Sequence, residues 1–530
     1  MRFGPRFHAA ARMIPVHITR RFVSIRFTVT AGALVLLLPC VAALGACRSA
    51  SGAGDRSPIL RMGVGIGRTV KASAEKSLAE LLYLEPLIGR AVDGRPVPHL
   101  AESWAWENDD RRVKVRLKSG VRLHSGKLLT AELVARSLNQ QVDAAREFSP
   151  QAFDTVVGIS AHGQDIIVDL SQPNALLLSE LLGLRIADPD SEDNGTGPFR
   201  IATRTPQTET VRFDDYHDGV SDLGGVRIVT YESQRSAWAA LLRSEVDAVQ
   251  EVSREFVEFL EGSSNVRTYS FLQPFYIPLV FNIRHPVLKN VEVRRALTEA
   301  LDRKTIVAKA MRGRGQIADG PIWPLHWAFA SAPRRYPFDP AHAAARLDRA
   351  GFTLTGAASD RKPRTRFSFR CLFWSEDPQF ERIALMIQRQ LFDIGVDVEL
   401  EPATLADLGR RLPPGDFDAF LMRTNASRSL DITYRFWRSS EKGNAAMQGS
   451  GYTGVDALLD TFKQSTSDEA VRAAVAALSQ RFHEDAPAAF IAWTEITRAV
   501  SSDFAVPDVG AEDPLAKIWQ WRPVREVTRR

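Results

Sequence analysis

The sequence predicts an α/β fold divided over two or three domains, and three observations carry that expectation. At 530 residues the chain is too long for one compact core. Its composition, 45 % hydrophobic and 25 % charged, is that of an ordinary folded protein. Stretches with two-residue alternation are interleaved with stretches of helical period through the body of the chain.

Ahead of that body stands a leader. Residues 1–47 hold six arginines (Arg2, Arg6, Arg12, Arg20, Arg21 and Arg26) and no acidic residue. The formal charge of +5 belongs to this segment, because the remainder holds 62 basic and 63 acidic residues. A nucleic-acid partner needs a basic face on the folded domain and is therefore not expected. Residues 27–47 are uncharged, with an apolar centre from Ala31 to Leu38, Pro39 after it, and Leu44-Gly45-Ala46-Cys47 at the end. This is the layout of a signal peptide. Its last four residues resemble the lipobox of bacterial lipoproteins, which implies lipidation at Cys47. The alternative is an uncleaved membrane anchor; Pro39 and the small residues before Cys47 argue against it. Translation from Met13 instead of Met1 fits the long basic region equally well. Residues 48–57, rich in Ser, Gly and Ala, are expected to form a flexible tether. Cys40 lies inside the leader, so the folded body is left with one thiol, Cys371, and no internal disulfide.

In the body, Val113, Val115 and Leu117 alternate with charged residues as in a half-buried strand, and Val121 and Leu123 resume the pattern after Ser119-Gly120. Thr130 caps a helix whose buried stripe is Val134, Leu138 and Val142. A helix near 291–301 presents Val293, Leu297, Ala300 and Leu301 on one face. Asp302 caps the next, which Gly313 ends. Asp339-Pro340 is a helix start, an N-cap followed by proline at the first position, and Gly351 closes that helix. Another helix buries Phe380, Ile383, Ile387, Leu391 and Ile394; Gly395 stops it, and Val396, Val398 and Leu400 begin a strand. Residues 48–58, 188–195 and 355–365 read as linkers.

Local motifs for catalysis are missing. There is no G-x-S-x-G elbow, no G-x-x-x-x-G-K-[ST], no C-x-x-C and no H-E-x-x-H. The histidines His99, His124, His162, His217, His285, His326, His342 and His483 are scattered along the chain. Gly63-Val64-Gly65-Ile66-Gly67 follows a strand pattern, but Arg68 stands where a dinucleotide fingerprint needs its third glycine. No cofactor and no metal is expected.

Five segments in order resemble the dipeptide- and oligopeptide-binding family of ABC-transporter solute-binding proteins. They are Pro98-His99-Leu100-Ala101-Glu102-Ser103-Trp104 with Gly120 to Gly126; Gly195-Thr196-Gly197-Pro198-Phe199; Ala239 to Leu242 with Glu245-Val246-Asp247; Phe281-Asn282 with Val293 to Leu297 and Ala300 to Arg303; and Phe338-Asp339-Pro340 through Gly351-Phe352. One departure concerns the ligand. Where peptide-gripping relatives carry a tryptophan and an aspartate, this chain reads Met422-Arg423-Thr424-Asn425-Ala426-Ser427-Arg428-Ser429-Leu430-Asp431, with Asp431 matching a later aspartate of the motif.

The resemblance implies a two-lobed periplasmic-binding-protein-like clamp with an extra third domain. Lobe I would comprise 58–90, 195–275 and 490–530, the extra domain 91–194, and lobe II 276–489. The ligand would be a peptide or related small solute enclosed between the lobes and delivered to ABC permease subunits. The protein would be a monomer held at the membrane on the periplasmic or envelope side. Candidate ligand-binding residues are Tyr276, Asn282, Trp374, Arg423, Asn425, Asp431 and Trp437, and the cationic Arg423 and Arg428 favour a ligand with an anionic group. A secreted hydrolase with a dispersed site and a sensory clamp of the same fold are the competing readings.

Overall fold

The computed structural model describes residues 57–65, 71–148, 153–329, 336–355, 365–439 and 449–524, and the backbone alone at 71–73 and 148. The leader, Cys47 and nearly all of the 48–57 tether lie outside the described residues.

The fold is organised by one twelve-stranded sheet that runs through both lobes. In the first lobe, Ile59–Gly65 pairs in parallel with Gly225–Tyr231 and with Ala248–Val249. Such strands are covered by helices; Leu60, Met62 and Val64 on one face are fully buried, while Arg61 on the other pairs with Asp247 at 2.6 Å. In the second lobe, Phe367–Trp374 lies in parallel between Val396–Ala403 and Ala419–Leu421. The helix Pro378–Asp393 covers this part, burying Phe380, Ile383, Ile387 and Leu391. Asp377 caps it by accepting from the Gln379 amide at 2.9 Å.

Two long antiparallel strands, Val266–Phe281 and Ala488–Ser501, join the lobes. Their register breaks between Leu272, opposite Glu495, and Tyr276, opposite Trp493, so three residues face Thr494. A bulge of this kind bends the strand and increases its twist. Before it Val266 and Tyr269 pack on first-lobe residues; after it Ile277, Leu279 and Phe281 enter a second-lobe core.

A separate layer is inserted in the first lobe between the helix Lys71–Tyr83 and the strand Phe199–Thr203. It is a four-stranded antiparallel sheet in the order Ala101–Glu107, Arg112–Leu117, Asp165–Leu170, Val156–His162. The helix Ala131–Phe148 packs on it through Val134, Leu138 and Val142, and Thr130 caps that helix at the Leu133 amide. The core of this layer includes Leu87 and Ile88, which sequence reasoning assigned to the first lobe.

Other local expectations fare unevenly. Asp302 and Asp339 cap the helices Arg303–Ala310 and Pro340–Arg349. Residues 188–195, expected to be a linker, form a tied knot. Asp188 donates its amide to Asn194 O, and the Asn194 side chain bonds Asp188 and Ser125. Polar side chains here close a compact turn instead of remaining solvated.

Candidate functional site

The bulge forms the floor of a cavity of about 1100 Å³ that opens between the lobes. Gln273 and Thr494 to Thr497 line the floor. The first lobe contributes Gly65 and the starts of the helices Gln234–Leu242 and Arg254–Glu261; the second contributes Trp374, Arg423 and the starts of the helices Pro378–Asp393 and Leu405–Arg411. Helix starts gather here because each of these helices follows the carboxyl end of a sheet strand, the place where α/β sheets bind ligands. Gly65 is needed where it stands, since a Cβ there would meet Gln234 Cα at 2.3 Å.

Each helix start presents the positive end of its dipole, which favours negative charge in the cavity. The side chains reinforce this. Four of the lining carboxylates already have partners. Glu255 faces Arg382 at 3.4 Å, Glu495 faces Arg314 at 3.5 Å, Asp377 caps its helix, and Glu376 accepts from Trp374 Nε1 at 3.1 Å and the Leu405 amide at 2.8 Å. Three lining arginines have no carboxylate partner among the described residues, and one of them, Arg235, lies over the Phe256 ring at 5.6 Å. Arg423 lies over the rings of Phe275 at 5.1 Å and Trp374 at 6.0 Å. Arg254 donates only to neutral acceptors, Gln379 Oε1 across the cleft and Glu495 O at 3.3 Å. Burial lowers the Arg254 pKa from its ordinary value, against the nearby Asp377 and Glu251 carboxylates, which raise it. Ser253 Oγ, on the same wall, is buried without a partner. Glu232 and Glu251 line the cleft without a cation on either.

Of the seven residues expected at a ligand site, the structure brings Trp374 and Arg423 together in the cleft. The other five line neither this cavity nor the smaller one described below. Tyr276 and Trp437 are fully buried and bond to each other, Trp437 Nε1 donating to Tyr276 Oη at 2.9 Å. Asn282 is a structural residue whose amide donates to Phe417 O at 2.7 Å and Gly415 O at 3.1 Å. Asn425 pairs with Phe275 and accepts from the Ser427 amide. Asp431 is buried and taken by Arg435 at 3.0 Å and by the Ser429 hydroxyl. Arg428 is buried against Glu512 at 3.5 Å. Large aromatics and amides read from sequence as ligand contacts have here been absorbed by the core.

Sequence reasoning missed Arg254, Ser253 and Gln379. One signal was available. Asp377-Pro378 has the same cap-and-proline form as Asp339-Pro340, and it marks a helix start on the cleft wall. Nothing local distinguishes Arg254 from any other arginine at a helix start.

Comparison with known proteins adds the lineage. The family model described as bacterial extracellular solute-binding proteins, family 5 middle, matches residues 95–446. The chain is 26 % identical over 374 residues to the oligopeptide-binding protein AppA of Bacillus subtilis, covering 64 % of this chain and 68 % of that one. The crystal structure of NikA from Brucella suis in complex with Fe(III)-EDTA superposes with a TM-score of 0.77 at 21 % identity, covering 87 % of this chain and 99 % of that one. The structure of Bacillus subtilis AppA in complex with a nonapeptide gives 0.69 at 20 % identity, over 88 % and 100 % of the two chains.

Proposed function

The chain belongs to the bacterial extracellular solute-binding proteins of family 5 and is a binding protein, not an enzyme; from that premise we propose that it encloses a small carboxylate-bearing solute, peptide-like in its charges, for delivery to an ABC importer. The observation that carries this reading is Arg423, a guanidinium on the cleft wall with no carboxylate partner among the described residues. Arginine grips a carboxylate through two parallel hydrogen bonds, and stacking on Phe275 and Trp374 leaves its edge free for them. Arg254 supplies a second donor from the opposite lobe. Glu251 and Glu232 are placed to receive an ammonium group, which makes a zwitterion a better fit than a simple anion. The cavity, about 1100 Å³, lies just above the usual range for small-molecule sites, about 300–1,000 Å³, so a short peptide is accommodated.

Closure would follow the bulged strands, with the lobes rotating about Leu272–Tyr276 and Trp493–Glu495. Mass spectrometry of the molecule that co-purifies with the native protein tests the ligand class; a ligand without any acidic group refutes it. The leader supports a lipid anchor at Cys47, two or more acyl chains being what stable attachment requires. Cys47→Ala is expected to abolish acyl labelling, and unchanged labelling would remove the anchor from this account.

A further inference from the structure

We propose that the inserted layer is a clasp, holding the second lobe against the first through a charged seam centred on Lys463 and Asp154, away from the ligand cleft.

The layer is bound to the first lobe by its chain connections and by a buried charge cluster. Glu85 accepts from the Tyr216 hydroxyl at 2.9 Å and faces His99 Nε2 and His217 Nε2, each at 3.0 Å. Lys118 faces Asp218 at 3.5 Å, and His124 donates its amide to Gly195 O. The layer therefore travels with the first lobe. With the second lobe it shares no strand, since its sheet is separate from the twelve-stranded one.

It nevertheless touches the second lobe along a continuous line. Lys463 Nζ reaches both Asp154 oxygens, at 2.7 and 2.9 Å, and its backbone oxygen accepts from the Ala175 amide at 2.6 Å. Thr466 donates to Asp110 at 2.6 Å, and Arg95 to Asp468 at 2.9 Å. The Trp327 amide donates to Asp93 O, while Arg95 and Arg472 lie over the Trp327 ring at 4.0 and 5.2 Å. Leu176 of the layer is counted in a second-lobe core. At Gly94 the backbones meet so closely that a Cβ would lie 2.0 Å from Arg428 O. None of the charged residues on this seam lines the cleft.

Lys463 is the key group. Only 4 % of it is exposed, and a buried ammonium is tolerated only when paired. Asp154 supplies the pair from the other body, and the Tyr434 ring lies 5.1 Å away. Rotation of the lobes about the bulge must shear this seam and hydrate Lys463. The seam thus weights the lobe arrangement seen here, and through it the apparent affinity and the release of any ligand. A cavity of about 300 Å³ flanks the seam, lined by Trp104, Trp106 and Trp327 among others.

The test needs no ligand. Spin labels are placed at Leu128→Cys on the layer and Leu385→Cys on the second lobe, both exposed, in a Cys40→Ser, Cys47→Ser background. Cys371 is fully buried and its thiol is pushed up to about 12, so it remains unlabelled. Pulsed electron-spin distances in the parent should show one narrow population. Asp154→Ala should shift most molecules to another separation, from a minor state of below about 10 %. Asp468→Ala, at an exposed pair where folding is not at risk, should do the same to a smaller extent. Circular dichroism confirms that each variant is folded. Parental distance distributions in both folded variants would overturn the clasp.

Discussion

The cleft and the seam are both charged contacts between the same two bodies, yet they treat charge in opposite ways. Along the seam every central charge finds its partner within the protein. Lys463 has Asp154, and Arg95 has Asp468. In the cleft, Arg235, Arg254 and Arg423 have no carboxylate partner among the described residues, and Ser253 Oγ is buried without a bond. A paired buried charge is a closed account that holds two surfaces in register, whereas an unpaired one has desolvation still to be offset by something else. Under the two proposals made above, the difference separates residues that position the lobes from residues that hold a ligand.

The largest effect expected is on residues in neither class. Trp437→Ala should destabilise the protein by about 3–5 kcal/mol, the usual cost of removing a buried tryptophan, measured by denaturant unfolding. A variant that instead stays fully stable and loses only ligand would return Trp437 to the site. Arg423→Ala should leave stability within about 0.5 kcal/mol and weaken the co-purifying ligand about ten- to a hundredfold, since a charge-assisted hydrogen bond is worth roughly 1.5–3 kcal/mol. Arg423→Lys should recover part of that. Calorimetry decides, and parental affinity in Arg423→Ala would move this arginine to the class of solvated residues.

A smaller effect sharpens the seam. Glu180 sits beside Lys463, Asp154 and Asp431, and burial pushes its carboxyl from 4.5 up to about 7 despite Lys463. The folded state therefore holds this proton more tightly than the unfolded one. Stability from this group is complete below pH 4.5 and is lost as pH rises through about 7. Glu180→Gln should remove that dependence and stabilise the protein at pH 8 by roughly 1–2 kcal/mol, with little change near pH 4.5. Thermal melts across that range test it; parallel curves for parent and variant would mean that Glu180 titrates as an ordinary carboxylate.

Much of the scaffold was legible beforehand because it is written in local chemistry. Asp302, Asp339 and Thr130 cap helices through bonds that span three residues. Val113, Val115 and Leu117 alternate because a strand has period two. Of the residues expected at the site, Trp374 and Arg423 line the cleft. Tyr276, Asn282 and Trp437 have the chemistry of ligand contacts and the burial of core residues, and no local pattern separates the two. Asp431 was expected to face a ligand, but Arg435, one helical turn on, claims it first.

The sequence by itself determined the family, the alternation of helices and strands, and a leader whose basic charge is not shared by the folded body. Those properties depend on neighbours along the chain or on order alone. Tertiary structure decided which charges are spent. Arg254 and Gln379 lie 125 residues apart and meet across the cleft, and Asp154 and Lys463 lie 309 apart and close the seam. Whether a guanidinium or an ammonium finds its counter-ion inside the protein depends on distances that appear only when the bulged strands bring two lobes and an inserted layer together.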